Sequence, residues 1–318
     1  MLAILNVIGP VFLLVGAGYL SVRWRWFPAA GIDGVVSFVN NFATPCLLFQ
    51  AMLNIEFTKV FDPGLLGAFY LGAFVTFAAV LSTARWGLKL RPGDAVVVGF
   101  GAFFTNTVLL GLPIIHRAFG DEALPSIYAI IGVHSPLLMT TGMVTMELAR
   151  RDGAPLGRAL GQAARRIARN PLLMGIGLGM AVNLSGLTVP AVVDDATRMM
   201  AQAVLPAALF GLGGALNQYQ LRDSWGGAVA AATGKLLVLP VIVLGAALAL
   251  RVPWELARVA VLMAAMPSGL NVYVFATYFK RSTDVAANTI LLSTVAGVGT
   301  ISAWLWILDR LGPAWGPF

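Results

Sequence analysis

Residues 102–117 read AFFTNTVLLGLPIIHR, and residues 264–275 read AAMPSGLNVYVF. Each stretch lies inside a long apolar run and interrupts it. The first does so with Thr105, Asn106, Thr107, Gly111 and Pro113, the second with Pro267, Ser268, Gly269 and Asn271. In lipid, backbone that leaves a helix has to be satisfied by protein or water, so such breaks mark cavities. A pair of interrupted apolar segments in corresponding halves of a chain points to a transporter's binding site. Two kinked, fully buried helices without a ligand are the plainer alternative.

Composition sets the class. The 318 residues are 58% hydrophobic and 11% charged, with mean hydropathy +0.84. A soluble domain carries about 25% charged residues, so the chain reads as an all-α, polytopic membrane protein. Its net charge of +7 collects in loops, which is the positive-inside pattern and not a nucleic-acid surface. The one cysteine, Cys46, excludes an internal disulfide and is expected as a small buried apolar residue. The first run, residues 2–22, is followed by Arg23 and Arg25 instead of being preceded by charge, so it reads as a span and not a cleaved signal.

A span needs about 20 apolar residues. Ten are expected, near 2–22, 31–53, 64–84, 94–116, 123–149, 171–189, 196–216, 225–250, 255–279 and 284–308. Of the 21 Lys and Arg, Lys59, Arg117, Arg198, Arg251, Arg258 and Arg310 fall on one side and Lys235 lies within a span. The remaining fourteen fall on the other side, which is therefore expected to be cytoplasmic, with both termini outside. The loop 150–170 joins the halves 1–149 and 171–318. Its arginines suit either an amphipathic helix on anionic lipid or a topology signal alone.

The halves resemble each other. Pro45-Cys46-Leu47-Leu48-Phe49 matches Pro206-Ala207-Ala208-Leu209-Phe210 at an offset of 161 residues (206 less 45). The same offset carries Asn106 onto Pro267 and Thr107 onto Ser268. Five spans per half, an odd number, make the repeat inverted. Pro45 and Pro206 are expected to bend their helices, since proline lacks a donor and crowds the preceding turn; Pro113 and Pro267 mark the breaks.

No H-E-x-x-H, G-x-S-x-G or phosphate-binding loop is present, and no metal or other cofactor is expected. Lys235 is a basic residue deep in a span, a functional-site candidate by default; pairing with a carbonyl is the bland alternative. His134 reads equally as a hydrogen-bonded core residue or as a proton-coupling group. Glu147 is expected to pair with Arg151 one turn on, with proton coupling as the lesser role. Thr107 and Ser268 suit helix caps, whereas Asn106 and Asn271 carry more donors and acceptors than a cap needs.

The chain resembles the auxin efflux carrier family, which includes the PIN-type carriers of plants and bacterial organic-acid permeases. The resemblance is carried by Asn106-Thr107-Val108-Leu109-Leu110-Gly111-Leu112-Pro113, Arg169-Asn170-Pro171, Met266-Pro267-Ser268-Gly269, Val272-Tyr273-Val274-Phe275-Ala276 and Leu291-Leu292-Ser293-Thr294. It implies a five-plus-five inverted repeat with crossing broken helices 4 and 9, of the sodium/proton-antiporter-like or bile-acid-symporter-like kind. It also implies a homodimerising scaffold of helices 1, 2, 6 and 7 and a transport domain of helices 3–5 and 8–10. Lys235 and Glu147 match basic and acidic positions of the family; Thr105 stands where the plant carriers have proline. The function implied is alternating-access transport of a small organic anion, an auxin-like or malate/malonate-like carboxylate, across a bacterial-type inner membrane. Thr105, Asn106, Thr107, Pro267, Ser268, Gly269, Asn271 and Lys235 are the candidate substrate residues. A cation/proton antiporter of the same fold would need carboxylates at the crossover, and none lies within 99–112 or 261–277. A channel and an intramembrane enzyme are the remaining alternatives.

Overall fold

The computed structural model describes residues 2–53, 62–150, 169, 171–217 and 225–315. The loop 150–170, apart from Arg150 and Arg169, lies outside the described residues, as does Arg151, the expected partner of Glu147. Among the described residues the chain is helical without strands. Its helices are α1 Leu2–Arg23, α2 Ala29–Leu53, α3 Pro63–Gly87, α4 Pro92–Phe103, α5 Thr107–Phe119, α6 Leu124–Arg150, α7 Pro171–Ser185, α8 Ala191–Leu216, α9 Trp225–Ala249, α10 Trp254–Ala264, α11 Asn271–Phe279 and α12 Thr283–Leu311. Among the described residues, six apolar helical stretches are long enough to cross a membrane: α2, α3, α8, α9, and stretches built on α6 and α12. The fourth and ninth apolar stretches each split into two shorter helices, α4 with α5 and α10 with α11.

The splits and bends trace to local chemistry. Asp62 caps α3 by accepting from Leu65 N at 2.7 Å, with Pro63 at the first helical position. In α2 a π-helical turn, Val39–Ala43, ends two residues before Pro45. In α8 the regular helix is interrupted at Ala203, whose N–H reaches Met200 O three residues back at 3.2 Å, just ahead of Pro206. Both expected prolines therefore stand directly after an irregular turn. Cys46 is half-buried, not buried as expected, because it lines an apolar groove with Pro45, Phe49, Met174 and Leu178.

Packing brings α1 against α8, and α2 against α7 and α8. It also brings α3 against α4 and α9, and α4 and α12 against α9. Glycines set the closest approaches of the first group. A Cβ at Gly18 of α1 would lie 2.0 Å from Phe210 O of α8, and one at Gly179 of α7 would lie 2.6 Å from Phe49 O of α2. Gly18 and Gly179 are 161 residues apart, as are Phe49 and Phe210, so the two contacts exchange partners between the halves. Small residues of this kind let apolar helices pack backbone to backbone, where dispersion drives association.

Gly18→Val and Gly179→Val should each force the helices apart and lower stability by about 1–3 kcal/mol or more. Gly177→Val on the same helix as Gly179, where a Cβ would meet nothing within 4 Å, should stay near the parent. Thermal unfolding of purified protein, followed by fluorescence, checks the difference.

Candidate functional site

The helix of α4 ends at Phe103 and the backbone turns extended at Phe104 (φ −81°, ψ 105°). It resumes as α5 after Asn106 (φ −77°, ψ 72°). The second break runs from Ala265 to Leu270, between α10 and α11. The two unwound stretches meet. Thr105 and Ser268 form an isolated antiparallel bridge, in which Asn106 N–H donates to Pro267 O at 2.9 Å and Gly269 N–H donates to Phe104 O at 3.0 Å. The remaining amides of the bridging pair turn to side chains. Thr105 N–H donates to His134 Nε2 at 3.0 Å, and Ser268 N–H to Ser293 Oγ at 3.1 Å. Helix-breaking backbone is thereby satisfied inside a buried core. Gly269 permits the approach, because a Cβ there would lie 3.1 Å from the Phe104 ring and 3.2 Å from Thr105 O.

These bonds exchange between the halves at an offset of 163 residues (268 less 105). The offset of 161 that superimposed Asn106 on Pro267 is therefore two residues out at the breaks. Sixty residues separate Pro45 from Thr105 and 62 separate Pro206 from Ser268, so the second half is two residues longer over this interval.

Asn106 is 4% exposed. Its Oδ1 accepts from Leu109 N at 3.2 Å and caps α5, while its Nδ2 is buried without a protein partner. Thr105 Oγ1 is likewise buried without a partner. A cavity of about 60 Å³ lies beside them, bordered by Asn106, Thr105, Thr107, Gly269 and Asn271 of the breaks, together with Asn40 of α2, Ser135 of α6 and Leu172 of α7. It has room for several waters, and no charged side chain lines it.

Pro267 and Ser268 do not line this cavity. Ser268 Oγ donates to Gly101 O at 2.7 Å, and the Pro267 ring packs against α12, where a Cβ at Gly297 would lie 2.8 Å from its Cγ. Lys235 is fully buried in a π-helical turn of α9, Gly234–Val238, and its Nζ donates to Ala264 O at the C-terminus of α10. It caps the negative end of that half-helix and is not brought to the cavity. Glu147 is half-buried near the end of α6 and also lies away from the cavity lining. Pro113 follows the π-helical first turn of α5.

His134 is 1% exposed. It stands among the rings of Phe69, Tyr70 and Phe104, with centroids 5.8, 6.4 and 4.9 Å away. Sequence reasoning names it but not its partner, a backbone amide. The places of Asn40 and Ser135 beside the cavity and of Ser293 on the Ser268 amide escape the sequence for the same reason: each sits in a different helix and meets the breaks only through the fold.

The sequence matches, over residues 3–305, the family described as "Membrane transport protein". It is 24% identical to a Rhizobium meliloti protein named for malonate transport, over 97% of both chains. It is 22% identical to auxin efflux carrier component 8 of Arabidopsis thaliana, over 94% of this chain and 96% of the plant protein. It is 25% identical to the lysosomal cholesterol signaling protein of Mus musculus, over 92% of this chain but 36% of the mouse protein.

Ser293→Ala should leave the Ser268 amide buried and unpaired, at a cost of about 1–3 kcal/mol. Ser302→Ala, on the same helix with an exposed hydroxyl bonded only to Val298 O, should change stability by less than about 0.5 kcal/mol. Thermal shift on the two purified variants checks this.

Proposed function

The chain belongs to the membrane transport protein family that includes the auxin efflux carriers, and on that premise we propose that it is a secondary transporter of a small organic anion, with the carboxylate bound at the crossover. The observation that carries this reading is the Asn106 amide. A buried donor without a partner costs free energy, and this one sits beside a cavity where two unwound helices meet. A carboxylate there accepts from Asn106 Nδ2, with Asn271 on the opposing break as second donor and the N-termini of α5 and α11 favouring negative charge. The absence of a carboxylate from the lining weighs against cation/proton antiport.

The same reading takes the ten apolar stretches as ten spans in a five-plus-five inverted repeat. The exchanged Gly18–Phe210 and Gly179–Phe49 contacts and the exchanged bridge bonds support it. The helices α1, α2, α7 and α8 form the scaffold and the homodimer face, and the others form the transport domain. The cavity takes Asn40 and Leu172 from the scaffold side and the breaks from the other, where relative motion would open it to each membrane face in turn. In a bacterial-type inner membrane the loop 150–170 faces the cytoplasm and both termini face out, by the distribution of Lys and Arg. An impermeant thiol reagent on intact cells should then miss a cysteine placed at residue 160 of a Cys46→Ser protein. Labelling there would reverse the orientation.

Calorimetry on purified protein with malonate and with indole-3-acetate tests the site. At least one should bind saturably to the parent. Asn106→Ala should weaken that binding by roughly 10- to 100-fold, the value of a hydrogen bond to a charged group. Asn106→Asp keeps the cap on Leu109 N but faces the anion with a negative charge, and should abolish binding. Parent-like affinity in Asn106→Asp would move the site away from the crossover.

A further inference from the structure

The bridge between the breaks has two arms, and they differ in chemistry. Ser268 N–H donates to the hydroxyl of Ser293, which accepts at any pH. Thr105 N–H donates to His134 Nε2, which accepts only while that nitrogen carries no proton. The neutral ring then carries its proton on Nδ1, and Nδ1 is buried without a partner. Thr105 Oγ1, Asn106 Nδ2 and His134 Nδ1, three buried side-chain atoms without partners, gather on this one arm.

We propose that His134 is the positioning residue that couples the crossover to protons: it holds the Thr105 amide while neutral, and releases it to the carboxylate when Nε2 takes up a proton. The proposal rests on the carboxylate reading of the site given above. Protonation sets an Nε2–H against the Thr105 N–H. Two donors cannot share the 3.0 Å contact, so it opens. Thr105 and Asn106 both border the cavity, so a carboxylate seated there comes within reach of the freed amide and of Asn106 Nδ2. The proton comes from water, no covalent bond within the protein's skeleton changes, and one positive charge enters with each negative one.

The surroundings give this exchange its direction. From α3, Tyr70 faces the imidazole but donates its hydroxyl to Ile130 O at 2.9 Å. From α9, Lys235 lies within electrostatic reach of His134, bonded to Ala264 O. The other helices packed on α6 place their titratable groups away from the breaks. On α4, Asp94 sits in the first turn and accepts from Ser282 at 2.9 Å. On α5, His116 sits in the last turn beside Asp121. On α10, Glu255 pairs with Arg258. On α2 these groups are Asp33 and Cys46, and α7 has none. Among the described residues no carboxylate is placed to face an imidazolium at this position, so the anion itself is the counter-charge. Proton and anion therefore favour each other's binding, as linkage requires.

Calorimetry of indole-3-acetate and of malonate binding, repeated in two buffers of different ionisation heat, counts the protons taken up. About one per bound anion is expected, and affinity should fall about tenfold per pH unit once the free histidine is neutral. The chain has 2 His, so nitrogen-15 histidine spectra of a His116→Gln protein report His134 alone. They should show the Nδ1–H form without ligand and both nitrogens protonated with it. His134→Gln can still accept from the amide but takes no proton, so it should bind with pH-independent affinity. Binding by the parent with no proton uptake and a neutral His134 in the complex would overturn the coupling and leave the carboxylate site standing. Binding of neither probe by the parent would overturn both. Should His134→Gln fail to fold, the spectra of the His116→Gln protein decide.

Discussion

An unwound peptide in an apolar interior needs partners, and at the centre of this chain two unwound peptides supply each other. The paired bonds of Asn106 with Pro267 and of Gly269 with Phe104 close four backbone groups that no helix can serve. Everything nearby follows from that closure. Ser268 has to lean on Gly101 and Ser293, Thr105 on His134, and Lys235 on the end of α10. The aromatic cluster of Phe77, Phe103, Phe100 and Phe275, two stacked pairs joined edge to face, fills the volume beside the break with groups that compete for none of those bonds. With the backbone closed in this way, an amide left over, such as that of Asn106, stands out as available to a ligand.

A second constraint recurs along the chain. Three of the four π-helical turns among the described residues, Val39–Ala43, Thr107–Gly111 and Gly234–Val238, each end two residues before a proline: Pro45, Pro113 and Pro240; the fourth, Thr83–Gly87, does not. Proline cannot donate, and its ring crowds the carbonyl four residues back. That carbonyl, of Asn41, Leu109 or Leu236, lies inside the wide turn in every case. The wider winding gives it room and redirects the side chains around it. Asn40, Thr107 and Lys235 all sit on such turns, so the prolines have shaped where polar groups can point into an apolar protein. Pro136 is the contrast, lying within the unbroken helix of α6.

Much of this is legible in the sequence, for a physical reason. Asparagine, glycine and proline inside an apolar run act on their own backbone, so both breaks can be located to within a residue or two. Helix ends are equally local, set by pairs such as Asp62-Pro63 and by Gly120, whose φ of +76° stops α5. Pairing between distant elements is not legible. Lys235 satisfies a backbone carbonyl, and His134 a backbone amide; neither partner has a side-chain signature. The register of the two breaks differs by two residues from the one that the repeat suggests, because P-x-x-L-F fixes one helix of each half while the interval to the break differs in length.

The cavity's place in the packing bears on how an anion would pass. Its walls come from both sides of the packing. They are unequal. Within one wall, Gly18, Gly175, Gly179 and Gly213 bring backbones against Phe210, Pro45, Phe49 and Val15, a packing that separates only at high cost. Within the other, the crossed breaks are pinned by hydrogen bonds in an apolar interior, where losing one leaves a buried polar group. Between them, Asn40 and Leu172 face the breaks across the cavity. A carboxylate lodged there touches both walls, and its charge-assisted bonds to Asn106 would draw the pinned wall along with it. On the proposed function, that is the coupling between ligand and motion that alternating access needs, and it would arise because the unpartnered amide of Asn106 lies among the crossed breaks.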